Sequence, residues 1–227
     1  MSPAEGCWCY NRIYMSDEKA EKIVEVLKEK YNPVAILLHG SRAVGKERPH
    51  SDWDILMLFN GDIPRRGYRE SIDEEDIEWK AFKIPTATDS IVDIFGMYLR
   101  FAKVLWEEGS AGSTLLEKAS ATYAKGPQLS QDDIRREKHF LEHKLLGMQD
   151  DVDTPYMFLR HLGVFFSHSV NIWFEVLHNE FPKPFYLAIP EIKERDPEYS
   201  KHLYILPSNA SNQEKIDAAR WIVQKLF

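Results

Sequence analysis

The sequence predicts an α/β (α+β) domain with a short mixed sheet, followed by an α-helical bundle domain. Three observations support this prediction. Short apolar runs typical of strands occur before residue 126 and no convincing strand pattern follows it; amphipathic helical patterns occur on both sides; and Gly126-Pro127 interrupts the chain between them. Because 227 residues are enough for two hydrophobic cores, we expect one domain over residues 1–126 and a second over residues 127–227.

The first domain is expected to begin with a helix and two buried strands. Ser16 is a suitable N-cap for the helix. Apolar residues follow it at helical spacing: Ala20, Ile23, Val24, Leu27 and Tyr31. Asn32-Pro33 ends this helix because helical backbone is disfavoured before a proline. The apolar runs from Val34 to His39 and from Ile55 to Phe59 then predict two strands.

A third strand and two more helices complete the prediction for this domain. The segment from Ile77 to Ala81 alternates apolar and polar residues, as a half-buried strand does. From Ser90 to Gly109 the apolar spacing predicts one amphipathic helix, with Ser90 as its N-cap and Gly109 at its end. We expect a closing helix from about Ser113 to Lys125.

The second domain is expected to be helical throughout. Ser130 and Asp133 have the spacing of a capping box at the start of a helix. A long helix is expected from about Thr154 to Glu180. The last helix has the clearest start, the capping-box sequence Ser-Asn-Gln-Glu at residues 211–214.

One stretch of the first domain carries residues that suit phosphoryl chemistry. A strand ends in Gly40-Ser41, and ten residues separate Ser41 from Asp52-Trp53-Asp54 at the start of the next strand. Carboxylates at positions i and i+2 of a strand share one face, so Asp52 and Asp54 can bind a divalent cation together. Gly40 lets a phosphate approach the turn without meeting a Cβ atom, and Ser41 supplies a hydroxyl.

The segment between the turn and the aspartates carries donors for a polyphosphate: Arg42, Lys46, Arg48 and Ser51. We expect Arg42 and Lys46 to contact a triphosphate, since a guanidinium suits bidentate contact and an ammonium acts as a point charge. His39 could also contact a phosphate, but the interpretation that it simply completes the strand is favoured.

This motif resembles the signature of the DNA polymerase β-like nucleotidyltransferases, in which Gly-Ser after an apolar strand precedes Asp-x-Asp in a second one. Gly40, Ser41, Asp52 and Asp54 match that signature in order and spacing. The two-domain layout is similar to that of small prokaryotic proteins of the kanamycin nucleotidyltransferase type. The resemblance implies a nucleotidyltransferase that moves a nucleoside monophosphate from a nucleoside triphosphate, which we expect to be ATP, to a hydroxyl, and that releases pyrophosphate.

The resemblance also implies a third carboxylate on a strand next to the Asp-x-Asp strand. Glu78 is our candidate because it lies on the polar face of the alternating strand. Asp93 is the alternative, although its place in a first helical turn favours capping. By resemblance, Asp52, Asp54 and Glu78 would hold two Mg²⁺ ions, which activate the acceptor hydroxyl and stabilise the leaving pyrophosphate.

The second domain contains candidates for a general base and one match to a zinc motif. In the related proteins the helical domain helps to form the acceptor pocket. By that analogy three residues are unranked candidates for a general base: Glu137, Glu142 and Glu175. The run from His139 to His143 fits the zinc motif H-x-x-E-H, but no third ligand is evident and its charged flanks are typical of a solvated helix face.

The net charge of the chain limits the classes of acceptor that we expect. The net charge of −7, from 29 Lys and Arg against 36 Asp and Glu, argues against a nucleic-acid acceptor. We expect a small hydroxylated acceptor. A protein hydroxyl is an alternative acceptor. An antitoxin-like or regulatory binding protein with this fold is an alternative function. A homo-oligomer or a protein partner bound through the helical domain also stays open.

The expected location of the protein is the cytoplasm. No apolar run is long enough to predict a membrane span, and no secretory signal is visible. Cys7 and Cys9, separated by one residue, fit neither an ordinary disulfide nor a four-ligand zinc site.

Overall fold

The computed structural model describes residues 18–64, 66–86 and 88–227. The chain forms two compact units, the first ending at Ser120 and the second beginning at Ala121. The first unit contains a five-stranded sheet, and the described part of the second contains helices and no strand. This confirms the predicted fold class. The predicted division between residues 126 and 127 stays a prediction. Ser16, Cys7 and Cys9 lie outside the described residues.

The first unit contains helices and strands, and the last of these helices crosses the boundary between the units. In chain order the elements are α1 (Glu18–Tyr31), β1 (Ala35–His39), α2 (Gly40–Ala43), β2 (Trp53–Phe59), β3 (Gly67–Ile72), β4 (Glu75–Lys83), α3 (Ile91–Phe95), a 3₁₀ turn (Tyr98–Phe101), β5 (Lys103–Glu107) and α4 (Ala111–Ala124). The predicted first helix, the three predicted strands and the predicted closing helix correspond to α1, β1, β2, β4 and α4.

The sheet is mixed, with strand order β3-β4-β2-β1-β5. β2 and β4 are parallel, and every other neighbouring pair is antiparallel. The buried residues of α1 form one cluster with alternate residues of the strands, among them Leu38, Ile55 and Trp79. Side chains alternate between the two faces of a strand. His39 and Asp54 therefore lie on the face that points away from α1.

The predicted helix from Ser90 to Gly109 is wrong. Gly96 has a φ of +52° and ends α3 after five residues. The chain then forms the 3₁₀ turn and β5, which pairs antiparallel with β1. Every residue of β1 is buried, so its backbone N–H and C=O groups need partners on both sides. That requirement outweighs the helical spacing of the apolar residues.

The second unit consists of helices in its described residues: α5 (Gln131–Asp150), α6 (Pro155–His178), α7 (Phe185–Arg195), α8 (Pro197–Ile205) and α9 (Asn212–Leu226). Ser130 and Ser211 form the predicted capping boxes of α5 and α9. The helices enclose a separate apolar cluster that includes Leu141, Phe165 and Ile222.

No helix in the described ranges has both the length and the apolar character that a membrane crossing requires.

Candidate active site

Four side chains form a row across neighbouring strands, which we call the charged row: His39, Asp54, Glu78 and Arg69. In the sheet register His39 of β1 lies opposite Asp54 of β2, Asp54 lies beside Glu78 of β4, and Glu78 lies opposite Arg69 of β3. Residues paired in this way present their side chains on the same face. The register therefore brings two of the sequence-predicted carboxylates, Asp54 and Glu78, side by side on the face away from α1.

Gly40 packs directly against this row. Its φ is +71°, and a Cβ atom added to it would lie 1.9 Å from Oδ2 of Asp54. Any side chain at this position would collide with the carboxylate, quite apart from the cost of a positive φ. The sequence predicts that Gly40 leaves room for a phosphate, which stays a prediction; in the structure the space of a Cβ atom is taken by the Asp54 carboxylate.

Three carboxylates are close together in this site: Asp54 is paired with Glu78, and Nη2 of Arg69 contacts Glu78 and lies 3.8 Å from Oδ2 of Asp52. Burial, and after it the negative charges of Asp52 and Glu78, raise the pKa of the Asp54 carboxyl to about 6. Both neighbouring carboxylates are partly exposed. A cation bound between them would offset this repulsion, so the arrangement suits a ligand with positive charge.

Two basic residues balance this charge, and neither was predicted as a site residue, although the sequence suggested a pairing of Lys80 with Glu78. Nε of Arg69 donates a hydrogen bond to Oε2 of Glu78 at 2.9 Å, and Nη2 of Arg69 contacts the same oxygen. Nζ of Lys80 lies 3.4 Å from Oε1 of Glu78 and 4.1 Å from the centroid of the Tyr98 ring. Lys80 follows Glu78 by two residues on the same strand face, which was a usable signal. Arg69 lies on β3, which the sequence did not predict.

His39 is buried at the other end of the row, and its ring centroid lies 5.0 Å from that of Tyr98. Burial lowers the pKa of His39 to about 4, and the positive charge of Lys80 contributes to this shift. The imidazole is therefore neutral near pH 7. A neutral, buried ring favours the interpretation that His39 completes the strand.

The guanidinium of Arg42 holds the loop that leads to the aspartates. Its Nη2 donates to the carbonyl of Ser51 at 2.7 Å, and its Nε donates to the carbonyl of Asp52 at 3.1 Å. It also lies 3.5 Å from Oε2 of Glu75, which accepts a hydrogen bond from the indole of Trp53. The sequence predicts a phosphate contact for Arg42, whereas these contacts give it a structural task in positioning Asp52.

The remaining predicted phosphate ligands line the same loop. Ser51 Oγ accepts a hydrogen bond from the backbone N–H of Arg48 at 2.8 Å, and the backbone N–H of Lys46 donates to the carbonyl of Ser41 at 2.9 Å. The Lys46 side chain is exposed, and Ser41 is half-buried next to Gly40. Short-range hydrogen bonds thus shape the loop from Ser41 to Ser51.

The carboxylates of Asp52, Asp54 and Glu78 suit a divalent cation that is also bound by the substrate. Within the described ranges, no group of three or more His, Cys, Asp or Glu side chains could hold a metal ion unaided. Mg²⁺ in nucleotide enzymes is commonly held by one or two carboxylates together with substrate phosphates. Asp52 and Asp54, with Glu78 alongside, supply oxygen ligands of this kind. A divalent cation bound there would polarise a phosphate group and offset its charge.

The alternative metal candidates have different surroundings. Asp93 is exposed in the first turn of α3, and its backbone N–H donates to Oγ of Ser90 at 3.3 Å, as a capped helix start requires. His139 and His143 of the H-x-x-E-H pattern are exposed on α5. This pattern does not form a three-ligand metal group, since the described ranges contain no such group.

Two of the general-base candidates interact within the helical unit. Oε2 of Glu137 lies 2.5 Å from Nε2 of His168. Burial, and after it the charge of Glu137, raises the pKa of the half-buried Glu175 to about 7. Glu142 is half-buried on α5. The role of a general base stays a prediction for all three residues, unranked.

Comparison with known proteins identifies the first unit. Residues 21–97 match the model of the family described as Polymerase beta, Nucleotidyltransferase. This segment is a DNA polymerase β-like nucleotidyltransferase domain. Gly40, Asp52, Asp54 and Glu78 lie within this range of the sequence. A nucleotidyltransferase acts on a nucleotide substrate, and such domains typically use a nucleoside triphosphate and a divalent metal.

Two solved structures are similar to this chain at low identity. A nucleotidyltransferase-like protein from Exiguobacterium sibiricum 255-15 has a TM-score of 0.49 and 10% identity, covering 92% of this chain and 74% of its own. A toxin-antitoxin structure with AMP-PNP has a TM-score of 0.30 and 17% identity, covering 46% of this chain and 86% of its own. No curated protein matches the sequence. At these TM-scores the family assignment rests on the match to residues 21–97.

Proposed function

We propose that this nucleotidyltransferase moves a nucleoside monophosphate from ATP to a hydroxyl of a small acceptor molecule, with Mg²⁺ and with release of pyrophosphate. The observation that carries the proposal is the pairing of Asp54 with Glu78 across β2 and β4, with Asp52 close by and Gly40 packed on Asp54. This arrangement supports the proposal because several carboxylates lie near a turn and a loop whose residues could donate to phosphates.

Each group would have a distinct task. Asp52, Asp54 and Glu78 would hold Mg²⁺, which as a Lewis acid stabilises charge on the phosphates. Ser41 and Lys46 would contact the triphosphate, and Ser51 would help to shape its loop. Arg42 would keep that loop, and with it Asp52, in position.

The proposed reaction breaks one phosphoanhydride bond and forms one phosphoester bond. The acceptor oxygen bonds to the α-phosphorus, the bond from the α-phosphorus to the oxygen that bridges to the β-phosphorus breaks, and pyrophosphate leaves. The proton of the acceptor hydroxyl passes to a base.

The acceptor is proposed from the charge of the chain. A net charge of −7 attracts cationic molecules and repels polyanions. A small hydroxylated and cationic acceptor, of the aminoglycoside kind, therefore suits this protein better than RNA does. A cytoplasmic location stays a prediction.

Calorimetric titration with ATP tests the site directly. We expect wild-type protein to bind ATP in the presence of Mg²⁺ and to lose at least about tenfold in affinity in the double variant Asp52→Asn/Asp54→Asn, since each lost ligand costs several-fold or more. The control is Asp62→Asn/Asp73→Asn, which removes two exposed carboxylates outside the charged row and should bind as the wild type does. Unchanged Mg²⁺-dependent binding of ATP by Asp52→Asn/Asp54→Asn would contradict the proposal.

Labelling with ATP that carries a radioactive α-phosphate identifies the acceptor class. Label in a small hydroxylated molecule, absent with the Asp52→Asn/Asp54→Asn variant, supports the proposal. Label on a protein would instead show a protein-modifying enzyme, and a stable stoichiometric partner without any transfer would show an antitoxin-like or regulatory protein. Either of the last two results overturns the small-molecule assignment.

A further inference from the structure

Arg69 lies between two of the three carboxylates of the candidate site. Its guanidinium binds Oε2 of Glu78, and its Nη2 also lies 3.8 Å from Oδ2 of Asp52. The side chain extends from β3, an edge strand of the sheet, and is 76% exposed. The positive charge of Arg69 therefore stands where a divalent cation shared by Glu78 and Asp52 would place its own charge.

We propose that Arg69 is a displaceable counter-cation that competes with the divalent metal for Glu78 and Asp52 and so sets the metal affinity of this site. The proposal rests on the proposed function, because it takes these carboxylates as metal ligands. It adds that the free enzyme has its own occupant for the metal position, and that this occupant must leave before Glu78 can act as a ligand.

The strength of the contact suits a displaceable group. Ion pairs between exposed side chains are weak because water screens them and because long side chains lose entropy on pairing. A guanidinium and a divalent cation at one cluster also repel each other. Metal binding therefore breaks the contacts of Arg69, and whatever stabilisation those contacts give the free enzyme is subtracted from the metal affinity.

Lys80 contacts the same carboxylate but differs in its surroundings. Its side chain is 29% exposed, against 76% for Arg69, and its ammonium packs over the ring of Tyr98. Lys80 is thus held in place, whereas Arg69 can swing into solvent. This contrast makes Arg69 the group that yields to the metal.

A bound nucleotide raises the metal affinity in addition to this effect. Mg²⁺ and its analogues gain further oxygen ligands when phosphates are present. The metal alone must displace Arg69 with carboxylates only, whereas the metal with a nucleotide has phosphate ligands to offset that cost. We therefore expect the free enzyme to bind metal weakly and the nucleotide-bound enzyme to bind it more tightly.

Mn²⁺ binding, followed by the electron paramagnetic resonance signal of the free ion, tests the inference on the full chain. Arg69→Gln is expected to bind Mn²⁺ about two- to fivefold more tightly than wild type without nucleotide, which matches the strength of an exposed ion pair. With a non-hydrolysable ATP analogue present, both proteins should bind Mn²⁺ more tightly, because the phosphates add oxygen ligands, and Arg69→Gln should keep its advantage. Lys83→Gln, which removes one exposed positive charge at the other end of β4, should match the wild type.

The outcomes separate this inference from the proposed function. Equal or weaker Mn²⁺ binding by Arg69→Gln, or an equal gain in Lys83→Gln, overturns the role of Arg69 alone, provided that Asp52→Asn/Asp54→Asn still abolishes Mn²⁺ binding. Mn²⁺ binding that survives in Asp52→Asn/Asp54→Asn, or no binding by any variant with or without the analogue, overturns both. Arg69→Lys keeps the charge but loses the forked contact, so an affinity between those of wild type and Arg69→Gln supports the proposal and an affinity above that of Arg69→Gln contradicts it.

Discussion

Two features of the structure restrict position 40 to glycine. Its φ is positive, and a Cβ atom there would lie only 1.9 Å from Oδ2 of Asp54. We expect Gly40→Ala to lower the free energy of unfolding by about 1–3 kcal/mol, the range for a strained backbone position. The added methyl group must also displace Asp54, so Mg²⁺-dependent ATP binding should fall with it. Urea unfolding and calorimetry measure the two effects on the same preparation.

Gly45 offers a matched control for this substitution. Its φ is +66°, close to that of Gly40, but an added Cβ atom would meet nothing within 4 Å. Gly45→Ala should therefore share the backbone strain and keep the ATP affinity of the wild type. An equal loss of ATP binding in both variants would show that strain in the turn, and not the contact with Asp54, matters for the site.

We predict that ionised Asp54 lowers the free energy of unfolding of the metal-free protein. Its pKa is raised from 3.8 to about 6, with burial as the largest cause, so the folded state disfavours the ionised form. The penalty is absent below pH 4, grows as the pH rises through 6, and is complete at pH 8. Asp54→Asn should then be more stable than wild type at pH 8 by about 1 kcal/mol, after allowance for solvent screening of a half-buried group.

Urea unfolding in EDTA at several pH values measures this difference. The advantage of Asp54→Asn should shrink as the pH falls from 8 toward 4, because the wild-type carboxyl becomes protonated in the folded state. Asp62→Asn, at an exposed position, should show no such trend. An Asp54→Asn variant that is less stable than wild type at every pH would contradict the prediction.

Single residues of the site were predictable to different degrees. Gly40, Ser41, Asp52 and Asp54 form a motif with defined spacing, so the sequence alone could select them. Glu78 needed the further inference that its strand lies next to β2, which the register confirms. The role of Arg69 depends on a strand pairing that no local pattern reveals.

Among the strands, those at the centre of the sheet were predictable and those at the edges were not. β1 and β2 are buried along almost their whole length, which produces continuous apolar runs. β3 lies at an edge and is mostly exposed, so its residues show no apolar alternation. β5, at the other edge, is half-buried along its length and was hidden inside an apparent helical pattern.

The helices were predictable where a capping signal or a long apolar stripe was present. α5 and α9 begin at capping boxes, and α6 carries an apolar stripe along 24 residues. α7 has a proline within it, at position 190, and proline is disfavoured in helix interiors. Neither α7 nor α8 was assigned from the sequence. Contacts with the core decide such short helices more than their intrinsic preference does.

For the whole molecule, the two units have separate apolar clusters, one around β2 and α1 and one among α5 to α9, with no residue in common. Phe165→Ala removes a fully buried ring from the second cluster and should cost about 3–5 kcal/mol. We expect hydrogen exchange, measured by mass spectrometry, to accelerate in α5, α6 and α9 and to stay unchanged in β1, β2 and β4.

Leu38→Ala provides the reciprocal test, because Leu38 is fully buried in the first cluster. It should accelerate exchange in the strands and leave α5, α6 and α9 as they are, since local opening follows the stability of each cooperative region. With Mg²⁺ and ATP added, protection should rise in β1 and β2, because a ligand stabilises the region that binds it. If either variant accelerates exchange equally in both units, the two clusters unfold as one cooperative structure and the nucleotidyltransferase domain does not keep its fold independently of the helical unit.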